Sequence, residues 1–136
     1  MEINGETVGA VGKGLLVFLG IEADDAPSDA DYIVDKVTGL RVFDDENNVP
    51  NRSVADAGGS ILLISQFTLC ADARHGRRPS YIRAARPETA IPLYEYAVER
   101  LREAAYTETG RFGAQMQVAL INDGPHTILL DSRRTF

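Results

Sequence analysis

Two uninterrupted apolar runs, Leu15-Leu16-Val17-Phe18-Leu19 and Ile61-Leu62-Leu63-Ile64, constrain this chain more than any other feature. Neither offers a polar face, which is the pattern of a strand covered on both sides. Such a sheet needs layers above and below it. Ile33, Val37 and Leu40 recur at helical spacing and predict a helix over roughly 29–41, with Ser28 as N-cap and Asp31 supporting the first turn. Tyr94, Ala97, Val98, Leu101 and Ala105 share one face of a second helix. Its start is expected near residue 91, because Pro92 suits a first turn but would break a helix already running from Pro87.

Shorter signals fill in the rest. Residues 2–21 read as strands, with Asn4-Gly5 as a hairpin turn, and 44–59, rich in Asp, Asn, Gly and Pro, reads mostly as loop. Met116, Val118 and Leu120 alternate with Gln117 and Ala119, predicting a half-buried strand. A turn at Asn122-Asp123-Gly124-Pro125 then leads into a last strand over Ile128–Leu130. With 136 residues and no repeat or linker, the chain is expected to form one α/β domain, residues 1–136, with more strand than helix. No apolar run approaches the ~18 residues of a membrane span. No basic-then-apolar leader follows Met1, and the single Cys70 excludes an internal disulfide, so a cytoplasmic protein is expected.

The net charge of −6 argues at first against a nucleic-acid partner. Its distribution reverses that. Arg74, Arg77, Arg78, Arg83 and Arg86 occupy one stretch with no acid between Asp72 and Glu88, so a basic patch sits on an acidic body. The plainer reading of that stretch is a solvated loop.

Most catalytic sets are missing. His75 and His126 are the only imidazoles, and neither lies near Cys70 or a serine elbow in sequence. No Cys/His spacing suits zinc, and Gly9, Gly12 and Gly14 lack the Lys-Ser/Thr ending of a phosphate loop, so no metal and no cofactor are expected. The abrupt change from Ile64 to Ser65-Gln66 is more informative. A buried strand delivers these residues to a sheet edge, where the Gln66 amide and a main-chain N–H can make an oxyanion hole for ester hydrolysis, with the Thr68 hydroxyl nearby. Ser-Gln can equally just end a strand. Gly124-Pro125 is the second candidate: a cis bond there would aim two adjacent carbonyls the same way, suited to an ammonium group. An ordinary turn is the alternative.

Together, these segments carry a resemblance. Ser65-Gln66-Phe67-Thr68-Leu69, Ala71-Asp72, Gly76-Arg77-Arg78-Pro79-Ser80 and Ala85-Arg86-Pro87-Glu88 closely resemble the D-aminoacyl-tRNA deacylase family. Thr109-Gly110, Phe112-Gly113-Ala114 and Asn122-Asp123-Gly124-Pro125 with Thr127 continue the match, in the same order and at the same separations. The resemblance implies mixed and antiparallel sheets in a partly open, barrel-like core with two main helices, assembled as a homodimer. It implies hydrolysis of D-aminoacyl-tRNA, and of glycine mischarged on alanine tRNA, to free tRNA and amino acid. Ser65, Gln66, Phe67 and Thr68 would form the catalytic segment, with Thr68 either the nucleophile or secondary to the terminal 2′-hydroxyl of the tRNA. Gly124 and Pro125, entering from the other subunit, would hold the substrate's α-amino group and reject L side chains. Phe112 and Met116 are candidates for stacking on the terminal adenine, and Arg74, Arg77 and Arg78 for meeting the tRNA. No DNA and no membrane partner is expected.

Two departures stand out. Family members carry a further N-terminal strand with a Gln-Arg-Val segment, and here Met1 falls inside the second stretch of the pattern; a start placed too late is expected. Loss of that strand would expose unpaired backbone, and would remove an arginine that bears on the Gly-Pro step. His126 stands where Val is usual, and a solvent-facing or interfacial histidine is favoured over a catalytic one. The competing functions are a catalytically silent aminoacyl-tRNA-binding homologue and a small esterase on other acyl esters. The arginine stretch favours the RNA readings, since an acceptor stem is recognised through phosphates and shape.

Overall fold

The computed structural model describes all residues, Met1–Phe136. A hairpin opens the chain: β1 (Glu2–Ile3) and β2 (Glu6–Thr7) pair antiparallel, and Asn4 and Gly5 both take the positive φ that such a turn demands. β3 (Gly14–Leu19) follows, then α1 (Pro27–Gly39), then the short antiparallel pair β4 (Phe43–Asp44) and β5 (Pro50–Arg52). The expected loop over 44–59 therefore contains a small ribbon. β6 (Ser60–Ser65) leads into a 3₁₀ turn at Phe67–Cys70; α2 (Pro87–Ala104) and β7 (Thr107–Thr109) complete the regular elements.

The central sheet has the order β3-β6-β7 and is wholly parallel, running from Gly14↔Ser60 to Leu19↔Ser65 and from Ile61↔Thr107 to Leu63↔Thr109. Parallel neighbours require crossover connections, and α1 and α2 lie in them. Side chains of β6 alternate between two cores. Ile61 and Leu63 meet Val34, Val37, Ala97 and Leu101 of the helices, while Leu62 and Ile64 meet Met1, Met116 and Val118 on the other face. The Tyr94 hydroxyl donates to the Leu63 carbonyl at 2.9 Å, and its burial pushes that phenol up to about 12. β3 is less enclosed than its composition suggests. Leu15, Val17 and Leu19 pack on the helix side, but Phe18 is 41% exposed on the other, and β3's outer edge carries no ladder.

Several expectations need correction. α1 begins at Pro27, whose missing N–H costs nothing in a first turn, so Ser28 lies inside the helix. Asp29, not Asp31, accepts the Ala26 N–H at 2.8 Å. Asp31 instead ties α1 to α2, accepting from the Tyr96 hydroxyl at 2.6 Å and from Arg100 at 2.5 Å. α2 starts at Pro87 and continues through Pro92. The one intrahelical bond that Pro92 forgoes would have reached the Glu88 carbonyl, and both residues are exposed, which makes the loss tolerable.

The strands expected over 116–120 and 128–130 do not form. One antiparallel bridge, Glu2↔Gln117, is all that this region contributes. Met116 and Val118 still face the second core, but backbone pairing does not extend past that bridge, and residues 119–129 are exposed. Helix therefore outweighs strand, and three separate small sheets replace the barrel-like core.

Gly14 is the tightest point of this architecture. A Cβ there would lie 1.8 Å from the Ser60 carbonyl oxygen and 2.7 Å from the Ser60 nitrogen. Gly14→Ala must force β3 and β6 apart and should cost more than about 2 kcal/mol, read as a lowered urea midpoint. An unchanged midpoint would contradict this pairing.

Candidate active site

β3 and β6 end side by side, so their C-terminal ends define one edge of the sheet. Ser65 closes the register opposite Leu19, and the Gln66 N–H still donates to the Leu19 carbonyl at 2.8 Å. Beyond it, the chain turns into the 3₁₀ segment, with Leu69 N–H bonded to Gln66 O (3.2 Å) and Ala71 N–H to Thr68 O (3.1 Å). The first two N–H groups of that turn, on Phe67 and Thr68, have no acceptor in the chain, as expected at a helical start.

Gly20 allows the turn to sit this close. A Cβ on it would come within 3.0 Å of Leu69 Cβ, 3.2 Å of Gln66 O and 3.3 Å of Cys70 Sγ. Sequence reasoning missed this residue. Its only signal was a glycine ending an apolar run.

The Gln66 amide donates to Thr68 Oγ1 at 2.6 Å. A carboxamide cannot accept a proton at neutral pH, so Gln66 does not activate the hydroxyl as a base would. His75 and His126 are exposed, and neither bonds to Thr68. The segment is thus rich in donors and lacks a base, an arrangement suited to a developing negative oxygen. The half-exposed Phe67 ring meets Tyr81 edge-on at 5.2 Å.

The arginine stretch separates into paired and free members. Asp72 and Ser80 exchange two backbone bonds of 2.8 Å and close the loop between them. Asp72 also binds Arg74 through its backbone N–H, through Nε at 2.9 Å and through Nη2 at 2.7 Å. Arg83 lies 3.3 Å from Glu22. Arg77, Arg78 and Arg86 are exposed and make no ion pair, so they carry the patch's available charge. Nearby, the carboxylates of Glu22, Asp24 and Asp25 converge within 4.8 Å, and the Arg133 guanidinium bonds to them, at 2.6 Å for Glu22. Burial pushes the Asp25 carboxyl up, whereas hydrogen bonding to Arg133 holds that of Asp24 down.

The remaining candidates lie elsewhere. The Gly124-Pro125 bond is cis, in a fully exposed stretch; nothing beyond its chain neighbours lies within 4 Å of where a Gly124 Cβ would stand. One chain therefore does not pack this step against the 66–70 turn. Phe112 packs on the helix-side core, its ring 6.1 Å from that of Tyr94, and lines a groove of about 360 Å³ beside α2. Met116 belongs to the opposite core. The two do not share a face.

The family profile described as D-Tyr-tRNA(Tyr) deacylase matches residues 1–131. The chain belongs to this family. It is 55% identical over 135 residues to a D-aminoacyl-tRNA deacylase of Symbiobacterium thermophilum, covering 98% of this chain and 89% of the relative. The protein of that name from Koribacter versatilis is 53% identical, over 98% and 91% of the two chains. A solved structure described as "c-Myc DNA Unwinding Element Binding Protein" superposes with a TM-score of 0.87 at 38% identity, covering 93% of this chain and 87% of that one. Another, described as a "probable eukaryotic D-amino acid tRNA deacylase", shares the fold at a TM-score of 0.73 and 15% identity, over 85% and 83% of the chains. No helix is long and apolar enough to cross a membrane.

Within this member of the D-Tyr-tRNA(Tyr) deacylase family, the Asp72–Arg74 contact sets an acid limit on the arginine loop. Hydrogen bonds from Arg74 hold the Asp72 carboxyl well below the usual carboxylate range. A depressed folded-state value means the contact is intact above the ordinary aspartate range and is lost as pH falls through the lower folded value. Carbon NMR of the Asp72 carboxyl should show that low midpoint, and Arg74→Ala should return it toward ordinary aspartate. An ordinary midpoint in the unsubstituted protein would contradict the pairing.

Proposed function

We propose that this chain hydrolyses the ester linking a D-amino acid to tRNA, releasing free tRNA and the D-amino acid. The observation that carries this reading is the donor cluster at the end of β6: the Gln66 amide at Thr68 Oγ1 beside the unbonded N–H groups of Phe67 and Thr68. Water adds to the ester carbonyl carbon, the carbonyl oxygen becomes negative, and these donors stabilise it. The carbon–oxygen bond to the ribose then breaks, and the ribose oxygen leaves with a proton. Because no base touches Thr68, the reading assigns it a polarising role, and the neighbouring 2′-hydroxyl of the terminal ribose takes the proton of the attacking water as it passes its own to the departing ribose oxygen.

Stereochemical choice falls to Gly124-Pro125 of a second copy. Its support is the family pattern, together with the exposure of that step and of apolar side chains on both parts: Ile121 and Leu129 around it, Phe67, Leu69 and Ile82 near the turn. Apolar surface of this extent is suited to mutual burial. Main-chain carbonyls would hold the α-amino group, and an L side chain would meet backbone, a rejection that does not depend on what the D side chain is. Glycine has no side chain to collide, which is why glycine on alanine tRNA belongs with the substrates. Arg77 and Arg78 would take phosphates of the acceptor stem, with Arg74 bracing their loop.

Deacylation of D-tyrosyl-tRNA and L-tyrosyl-tRNA tests the reading. The D ester should be hydrolysed and the L ester spared, and Gln66→Ala should lower the D rate by about 10²–10³-fold. Pro125→Ala should admit the L ester. Arg77→Ala and Arg78→Ala should each weaken binding and reduce the salt slope by about one. Binding without hydrolysis of either ester would overturn the enzyme in favour of a silent tRNA-binding homologue; equal rates on both would overturn the filter.

A further inference from the structure

The turn that carries Gln66, Phe67 and Thr68 ends at Cys70, whose carbonyl, like others at a helical end, lacks a partner within the turn. Arg83 supplies one: its Nη2 donates to Cys70 O at 3.4 Å. The other terminal guanidinium nitrogen, Nη1, lies 3.3 Å from Glu22 Oε1, and Glu22 Oε2 is 2.6 Å from Arg133. The backbone around Arg83 is fixed to the same place. Ala23 N–H donates to Arg83 O at 2.9 Å, and Ala85 N–H to Ile21 O at 2.8 Å. The Cys70 thiol also points at Ile21 O, at 3.7 Å. Arg83 thus bridges the far end of the site turn to the segment that follows β3, in addition to the close approach at Gly20.

We propose that Arg83 is a positioning residue for the hydrolysis, holding the 67–70 turn against the 20–23 segment through Cys70 O and Glu22. This rests on the hydrolase reading above. Although Arg83 belongs by sequence to the arginine patch, its charge is already engaged by Glu22, so its contribution differs in kind from that of Arg77 and Arg78. Small misplacements of a reacting group are costly: a shift near 1 Å can lose about 10²-fold. Loss of one tether from a turn still held by Gly20 should cost less.

The test compares Arg83→Ala, Arg83→Lys and Glu22→Gln with the unsubstituted protein. Arg83→Ala should lower kcat on D-tyrosyl-tRNA about tenfold and leave KM and the salt slope unchanged. Arg83→Lys, which keeps a cation able to reach Cys70 O, should recover much of the rate, and Glu22→Gln should lose less than Arg83→Ala. Amide exchange followed by NMR gives a readout independent of activity: the Leu69 and Ala71 amides should exchange faster in Arg83→Ala, while β6 amides keep their protection. A raised KM and a shallower salt slope with kcat intact would make Arg83 a phosphate contact and overturn the proposal. Unchanged exchange at Leu69 and Ala71 would overturn it too, as would uniform loss of protection across the chain. If the unsubstituted protein fails on the D ester while those two amides still loosen in Arg83→Ala, the hydrolase reading falls and the tether remains.

Discussion

Everything at the site depends on β3 and β6 lying parallel and in register. Their pairing needs Gly14, because any side chain there would enter the Ser60 backbone. Once it is made, both strands finish together, and Leu19-Gly20 and Ser65-Gln66 arrive at one edge. Ligands of open parallel sheets commonly bind outside the carboxyl ends of the strands. Here that edge holds a turn rich in donors and poor in bases. The burial of β6 on both faces makes the edge a fixed platform, since Ile61, Leu63 and Ile64 are each no more than 2% exposed.

The charge of this protein has to be read from its pairing. Five arginines in one stretch suggest a uniform cationic surface, but the fold assigns them three tasks. Arg74 is bound by Asp72 and shapes the loop, and Arg83 reaches back to the site turn. Arg77, Arg78 and Arg86 are left facing solvent. The acidic side is similarly organised, with Glu22, Asp24 and Asp25 gathered around Arg133. Exposed pairs of this kind add little to stability one by one. Their value lies in where they place loops.

Features written into local composition were legible from the sequence. The apolar run Ile61–Ile64, the Asn4-Gly5 turn and the Ser65–Thr68 segment all stand where their residue types require. Features that depend on a partner were not. Alternation of Met116, Val118 and Leu120 shows which side chains seek a core, but a strand also needs a neighbouring backbone along its length, and here pairing stops at the single Glu2↔Gln117 bridge. Gly20 has no motif; its role appears only when Leu69, Gln66 and Cys70 are packed over it. Arg83 and Glu22 are far apart in the chain, so a stretch of arginines conceals that one of them is engaged. The helix starts were misjudged for a nearer reason. Ser28 and Pro92 each carry a real local preference, but Pro27 and Pro87 serve as first residues equally well, and the earlier start of α2 also buries Ala90.

The parallel sheet also governs the order in which the molecule comes together. β3 and β6 are separated by residues 20–59, and β7 joins only after the long passage through α2. Closing such loops consumes chain entropy before any strand contact repays it, which makes parallel pairing slow. Helices α1 and α2 can form locally while β6, apolar on both faces, still lacks its neighbours. A nascent chain at that stage exposes its stickiest segment, and the edge bearing Gln66 and Thr68 does not yet exist. The edge that carries Gln66 and Thr68 thus comes into being only with the pairing of β3 and β6, and an apolar β6 left unpaired is the kind of segment that promotes aggregation.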